Sequence, residues 1–136
     1  MKLFTYLNFG GNCREAFTFY EKHLGGKVLA MMTHGQQPNP ESVPPEWKDA
    51  ILYARMRIGE TDLMGSDVPG ERFQPMRSAY LYFSVNSTEE AERVYGVLSD
   101  GAQVIMPMEE TFFARRFAML RDQFGTLWMI IYERPM

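Results

Sequence analysis

The chain states one local pattern twice. Glu15-Ala16, Tyr20 and Gly26 of the first half return as Glu90-Ala91, Tyr95 and Gly101 of the second, each at an offset of 75 residues. In each half a helix-like stretch ends at glycine and runs into an apolar segment, Val28 to Met32 and then Val104 to Met106. A strand-like run lies just upstream of each helix, Tyr6-Leu7-Asn8-Phe9 and then Tyr80-Leu81-Tyr82-Phe83-Ser84-Val85. An internal repeat narrows the choice of folds more than any single motif does. A period of 75 residues is too long for a solenoid unit. A paired-module domain with pseudo-twofold character is the better reading.

A length of 136 residues fits one domain with a real core, spanning 1–136. Module one is expected over about 1–67 and module two over about 78–136. The net charge of −3 and the absence of a basic block argue against nucleic acid as a partner, because phosphate binding needs clustered Lys and Arg. No apolar run approaches the length of a membrane span. Met1-Lys2-Leu3-Phe4 leads straight into a strand pattern, read as lacking a signal-peptide core. The lone Cys13 has no internal disulfide partner, so a cytoplasmic setting is expected.

The order of elements follows from breakers and periodicity. Leu3–Phe9 reads as a strand, and Asn12 is placed to cap a helix carrying Ala16, Phe17, Phe19, Tyr20 and Leu24. Gly25-Gly26 ends it, and Lys27–Thr33 is a second strand. The segment Gly35–Lys48 holds Pro38, Pro40, Pro44 and Pro45 and is expected to be a loop without regular structure. Loops of that length often act as lids or binding loops. Strands follow at Ala50–Ile58 and Leu63–Ser66, then a linker over Asp67–Arg77. The second module reads as a strand at Ala79–Val85 and a helix from Thr88 with Ala91, Val94, Tyr95 and Leu98 inward. Strands then run at Ala102–Met106, stopped by Pro107, at Phe117–Arg121 and at Leu127–Tyr132. The order is βαβββ, twice.

These residues resemble the glyoxalase / bleomycin-resistance / dioxygenase group, the vicinal oxygen chelate superfamily, and within it the PhnB-like branch. The resemblance rests on Tyr6-Leu7-Asn8-Phe9 with Gly11-Asn12-Cys13, on Ala16 with Phe19-Tyr20, and on Ile58-Gly59 with Leu63-Met64, Ser66 and Asp67. It continues through Met106-Pro107, Glu110-Thr111-Phe112, Arg116-Phe117, Asp122, Phe124-Gly125 and Trp128-Met129-Ile130. The resemblance implies an α+β fold: two βαβββ modules, with eight strands and two main helices, forming paired half-barrels around a cleft. It also implies a homodimer with sites in the clefts. Metal-using relatives place His or Glu at four strand positions. Here the matching places hold Thr5 or Tyr6, Tyr53, Tyr80 and Met129, none a usual ligand for a divalent ion.

The resemblance and its departures together imply a protein that binds a small organic molecule in an aromatic-rich cleft. No metal and no cofactor are expected, and sequestration is a fitting role. The alternative is a metal-dependent lyase, isomerase or dioxygenase of the same superfamily. The methyltransferase label carried by PhnB-like proteins finds no support, since no Rossmann-type glycine fingerprint follows a strand. The candidate ligand-binding residues are Glu110, Tyr53, Arg116, Trp47, Tyr80 and Phe112. Glu110 reads as a hydrogen-bond anchor or acid beside Phe112 and Phe113, or as a carboxylate paired with Arg115 or Arg116. Arg116 reads as a clamp for an anionic ligand or as half of an ion pair. Tyr53 and Tyr80 offer phenols to a ligand or pack, and Trp47 is the apolar bulk of the proline-rich loop. Eleven methionines, most of them in or beside strand runs, suit either a strand core or a deformable pocket. Catalytic residues cannot be named from the sequence: Cys13 lacks a nearby His, and no nucleophile constellation is visible.

Overall fold

The computed structural model describes residues 1–135. The chain divides into two compact units, Met1–Gln74 and Pro75–Met136. The first runs β1 (Thr5–Phe9), α1 (Cys13–His23), β2 (Lys27–Thr33), β3 (Ile51–Ile58) and β4 (Thr61–Asp67). The second runs β5 (Leu81–Ser84), α2 (Thr88–Leu98), β6 (Gln103–Glu109), β7 (Ala114–Arg121) and β8 (Leu127–Glu133). Each unit has one four-stranded sheet, in the orders β1-β4-β3-β2 and β5-β8-β7-β6. The first strand of each lies parallel to the last, and the remaining neighbours are antiparallel. The fold is α+β with eight strands and two α-helices, as the sequence implied. Among the described residues no helix is long and apolar enough to cross a membrane.

Apolar spacing explains which face each helix covers. Cys13, Ala16, Phe17 and Tyr20 fall every three or four residues and are all fully buried. Phe17 lies over Gly65 of β4, where a Cβ would come within 3.0 Å of its ring. The ring also meets Phe9 edge-on, with centroids 6.2 Å apart. In the second unit Ala91, Val94 and Leu98 are buried on α2. Ser87 caps that helix by accepting from the Glu90 N–H at 3.0 Å. Gly25 and Gly101 follow the two helices with φ of 74° and 71°, a left-handed conformation that glycine adopts at low cost. In the first unit the left-handed residue is therefore Gly25 rather than its neighbour Gly26.

Two buried aspartates gather hydrogen-bond donors, Asp67 from distant segments and Asp122 from its own turn. Asp67, at the end of β4, accepts from the N–H groups of Gly11 and Cys13 with one oxygen, each at 3.0 Å. Its other oxygen accepts from the Ile51 N–H at 2.8 Å. Asn12 makes no side-chain capping bond, so the carboxylate closing the start of α1 comes from β4. Asp122 accepts from the N–H groups of Phe124 and Thr126 and from the Trp128 indole, each at 2.9 Å.

Several details differ from the sequence reading: β1 and β5 are shorter than expected, starting at Thr5 and Leu81, and Tyr95 is only half-buried. Pro107 does not stop β6, which continues to Glu109. β6 is an edge strand with a register shift between Met106 and Glu109, the setting in which a residue without an N–H is tolerated. β4 and β7 are longer than expected, starting at Thr61 and Ala114. The proline-rich segment is ordered as three single 3-10 turns, at His34–Gln36, Pro40–Ser42 and Pro45–Trp47. Its base is pinned by His34 N–H to the Ala50 carbonyl at 2.8 Å and Gly35 N–H to the Lys48 carbonyl at 3.0 Å.

Candidate functional site

A half-buried sheet has one face for the helix and one left for other work. Strand alternation assigns the residues. In the first unit Leu7 and Phe9, Ala54 and Met56, and Leu63 and Gly65 turn toward α1 and are buried. The opposite face therefore carries Tyr6 and Asn8 of β1, Tyr53, Arg55 and Arg57 of β3, and Asp62, Met64 and Ser66 of β4. Register aligns them into rungs: Asn8 with Ser66, Tyr6 with Met64 and Arg55, and Asp62 with Arg57 and Lys27.

This face is polar and cationic. Asp62 is only 1 % exposed, yet it lies between two guanidinium groups. One oxygen takes the Arg55 Nε and Nη2, both at 2.6 Å, and the other takes the Arg57 Nε. Hydrogen bonding to Arg57, reinforced by Arg55, outweighs the cost of burial and holds the Asp62 carboxyl below the usual carboxylate range. The Arg55 guanidinium also lies over the Phe4 ring, 4.9 Å from its centroid. The Ser66 hydroxyl donates to Asn8 Oδ1 at 3.3 Å. Trp47 meets His34 edge-on with centroids 5.7 Å apart, and His34 Nε2 lies 3.1 Å from the Asp67 carbonyl oxygen. The indole is thereby docked on its own unit.

The second unit presents a different surface. Arg116 of β7 pairs with Glu92 of α2, which assigns Arg116, Ala118 and Leu120 to the helix side. The opposite face holds a cluster of buried Ala114, Phe117 and Ile131 with Met106, Met119 and Met129 packed against it. Phe113 adds its ring edge-on to Phe117 at 5.0 Å. One polar group borders the cluster: the Tyr82 hydroxyl donates to Glu133 Oε2 at 2.8 Å, and Ser84 lies 3.5 Å from Oε1. Partial desolvation of a phenol that is still half exposed, helped by Glu133, pushes Tyr82 up to about 12.

The six residues singled out from the sequence divide between the two units, Trp47 and Tyr53 in the first and Tyr80, Glu110, Phe112 and Arg116 in the second. Tyr53 lies on the open face of the first unit, and Trp47 on its loop. Glu110 pairs with Arg134, whose guanidinium also donates to the Thr111 carbonyl at 3.1 Å. Arg116 is engaged by Glu92, and its Nε is buried with no partner among the described residues. Tyr80 is half-buried just ahead of β5, and Phe112 is 93 % exposed, edge-on to Phe113. Arg55, Asp62 and Glu133 were not anticipated. Charges at every second position of β3, facing an Asp across a tight turn, were the available signal for the first two.

The open faces also allow a test of fit for a divalent metal. Of the positions matched to the relatives' donors, Tyr6 and Tyr53 lie on the open face of the first unit and Met129 on that of the second, whereas Thr5 alternates to the helix side and Tyr80 precedes β5; they present hydroxyl and thioether groups. These groups do not suit a divalent cation, which is held by imidazole, thiolate or carboxylate. Among the described residues, no three of His, Cys, Asp and Glu are grouped to hold a metal ion.

Comparison with known proteins agrees with this architecture. The model of the Glyoxalase/Bleomycin resistance protein/Dioxygenase superfamily matches residues 3–130, and the chain belongs to that superfamily. It is similar to protein YjdN of Escherichia coli (strain K12), at 32 % identity over 96 % of this chain and 94 % of that one. Among solved structures, protein PA1353 from Pseudomonas aeruginosa is 39 % identical, with a TM-score of 0.89 over 99 % of both chains. The PhnB protein of Bacillus cereus, named as a 3-demethylubiquinone-9 3-methyltransferase, is 21 % identical. It shares the fold, with a TM-score of 0.83 over 97 % of this chain and 99 % of its own.

Proposed function

We propose that this protein binds a small organic molecule against the open faces of its sheets, without a resident divalent metal, and holds it rather than transforming it. The observation that carries this reading is the chemistry of those faces. The places matched to the donors of metal-using relatives hold hydroxyl and thioether side chains, those of Thr5 or Tyr6, Tyr53, Tyr80 and Met129. Around Met129 they join a methionine-lined cluster, a surface that adapts to apolar ligands of varied shape. The Tyr82–Glu133 pair supplies a polar anchor beside it, and Tyr53 supplies one on the first unit. Glu110, Tyr80 and Phe112 complete the proposed binding set of the second unit, where Arg116 is turned to the helix side by Glu92, and Trp47 is the proposed closing side chain of the first unit. In this reading the protein is a cytoplasmic homodimer built as one domain over 1–136. Dimerisation would cover sheet edges at β1, β2, β5 and β6. Sedimentation as a monomer at micromolar concentration would remove that part.

The test uses methyl-labelled methionine. Titration with a library of aromatic and aliphatic small molecules should give saturable shifts at Met106, Met119 and Met129, with Met1 unmoved. Turnover of any such compound only after addition of manganese, nickel, zinc or iron would replace this reading with that of a metal-dependent enzyme.

A further inference from the structure

We propose that Arg55 and Arg57, set by the buried Asp62, form a binding site for an oxyanion: a phosphate group, free or carried by an organic molecule. The site goes beyond the apolar recognition proposed for Met106, Met119 and Met129.

Charge balance is the first reason. One carboxylate serves two guanidinium groups, and among the described residues no second acid pairs with either. Lys27 lies directly opposite Arg57 in the β2–β3 register and so adds a third cation to the same face. The cluster keeps an unmatched positive charge that an anion would neutralise.

Geometry is the second reason. Asp62 is almost completely buried and grips each arginine through its Nε, so the two forks are fixed at their stems. Arg57 remains 56 % exposed, and its Nη atoms have no hydrogen-bond partner among the described residues. Arg55 is held further by Phe4 beneath its plane, and it is 31 % exposed. Fixed guanidinium groups bind phosphate oxygens in bidentate fashion and lose little side-chain entropy in doing so. Tyr6 and Met64 occupy the rung beside Arg55, so an apolar group attached to the phosphate would have a surface to lie on.

The test follows the arginine Nε–H signals while inorganic phosphate, phenyl phosphate or sodium chloride is added at matched ionic strength. Saturable shifts of Arg55 and Arg57 with either phosphate, absent with chloride, are expected. Tighter binding of phenyl phosphate would identify the anion as part of an organic ligand, and equal or weaker binding would identify a free-phosphate site. Arg57→Gln should lower affinity by roughly ten- to a hundredfold, the range for a lost charge-assisted hydrogen bond. Lys48→Gln, an exposed cation on the loop, should leave affinity unchanged. If Arg57→Gln fails to fold, Lys27→Gln takes its place and should weaken binding severalfold. Shifts reproduced by chloride, or affinity untouched by the variant at Arg57 or its substitute, would reduce the cluster to a structural ion network and overturn the proposal. Methionine shifts with uncharged compounds would survive that outcome, so the two proposals fail separately.

Discussion

Asp67→Ala should be among the most damaging single changes in the first unit. The Asp67 carboxylate satisfies three backbone N–H groups, those of Gly11, Cys13 and Ile51. Gly11 is exposed, so water can replace the lost acceptor there. Cys13 and Ile51 are fully buried, and their N–H groups would be left without a partner. At about 1–3 kcal/mol for each orphaned buried donor, the cost is about 2–6 kcal/mol. For a chain of this size that lowers Tm by about 10–15 °C at the middle of the range. Asp67→Asn separates charge from geometry. It keeps one acceptor oxygen and turns an NH2 group toward at least one donor, so it should cost about 1–3 kcal/mol. Urea unfolding of the three proteins, with unchanged m-values, measures both differences. A loss under about 1 kcal/mol for the alanine variant would refute the orphaned-donor reasoning.

Three further outcomes are expected. Cys13 is buried, and burial together with Asp67 and Glu15 pushes its thiol above the ordinary range; a disulfide reagent should therefore react only with unfolded protein, and rapid reaction of the native state would contradict this. Gly65→Ala would bring a Cβ within 3.0 Å of the Phe17 ring and 3.1 Å of the Leu7 carbonyl oxygen; thermal unfolding should show a loss of about 1–3 kcal/mol, and an unchanged or raised Tm would show that Phe17 yields freely. For Tyr82, whose folded pKa is about 12, the neutral phenol is the form that folding favours. Its contribution to stability is therefore complete below about pH 10, the unfolded value, and lost as pH rises toward 12. Glu133→Gln should move the phenol part of the way back, because burial is the larger cause; a tyrosine ring titration that does not change would refute the pairing.

The fold was legible because its signals are local. Apolar spacing in Ala16, Phe17 and Tyr20, breakers at Gly25-Gly26 and alternation along β3 each act over a few residues. Pro107 misled because edge position and register shift depend on which strands pair, and pairing is tertiary. The candidate site was less legible for the same reason. As ion-pair partners for Glu110 the sequence offers Arg115 or Arg116, its near neighbours, but the carboxylate meets Arg134 from beyond β8. Arg116 is met by Glu92 of α2, and Asp67 reaches back 54 residues to Cys13. Tyr53 fell on the open face as a strand position one rung from Arg55, whereas the buried Asp62 joining Arg55 to Arg57 required the folded β3–β4 pair.

The most direct test of metal-free binding is the metal content of protein purified without added metal and without chelator. The expected result is zinc, nickel, manganese and iron each far below one equivalent per chain, with Tm unmoved when any of them is added. Near-stoichiometric metal that survives gel filtration, and whose removal lowers Tm, would contradict it and return the protein to the metal-dependent enzymes of its superfamily.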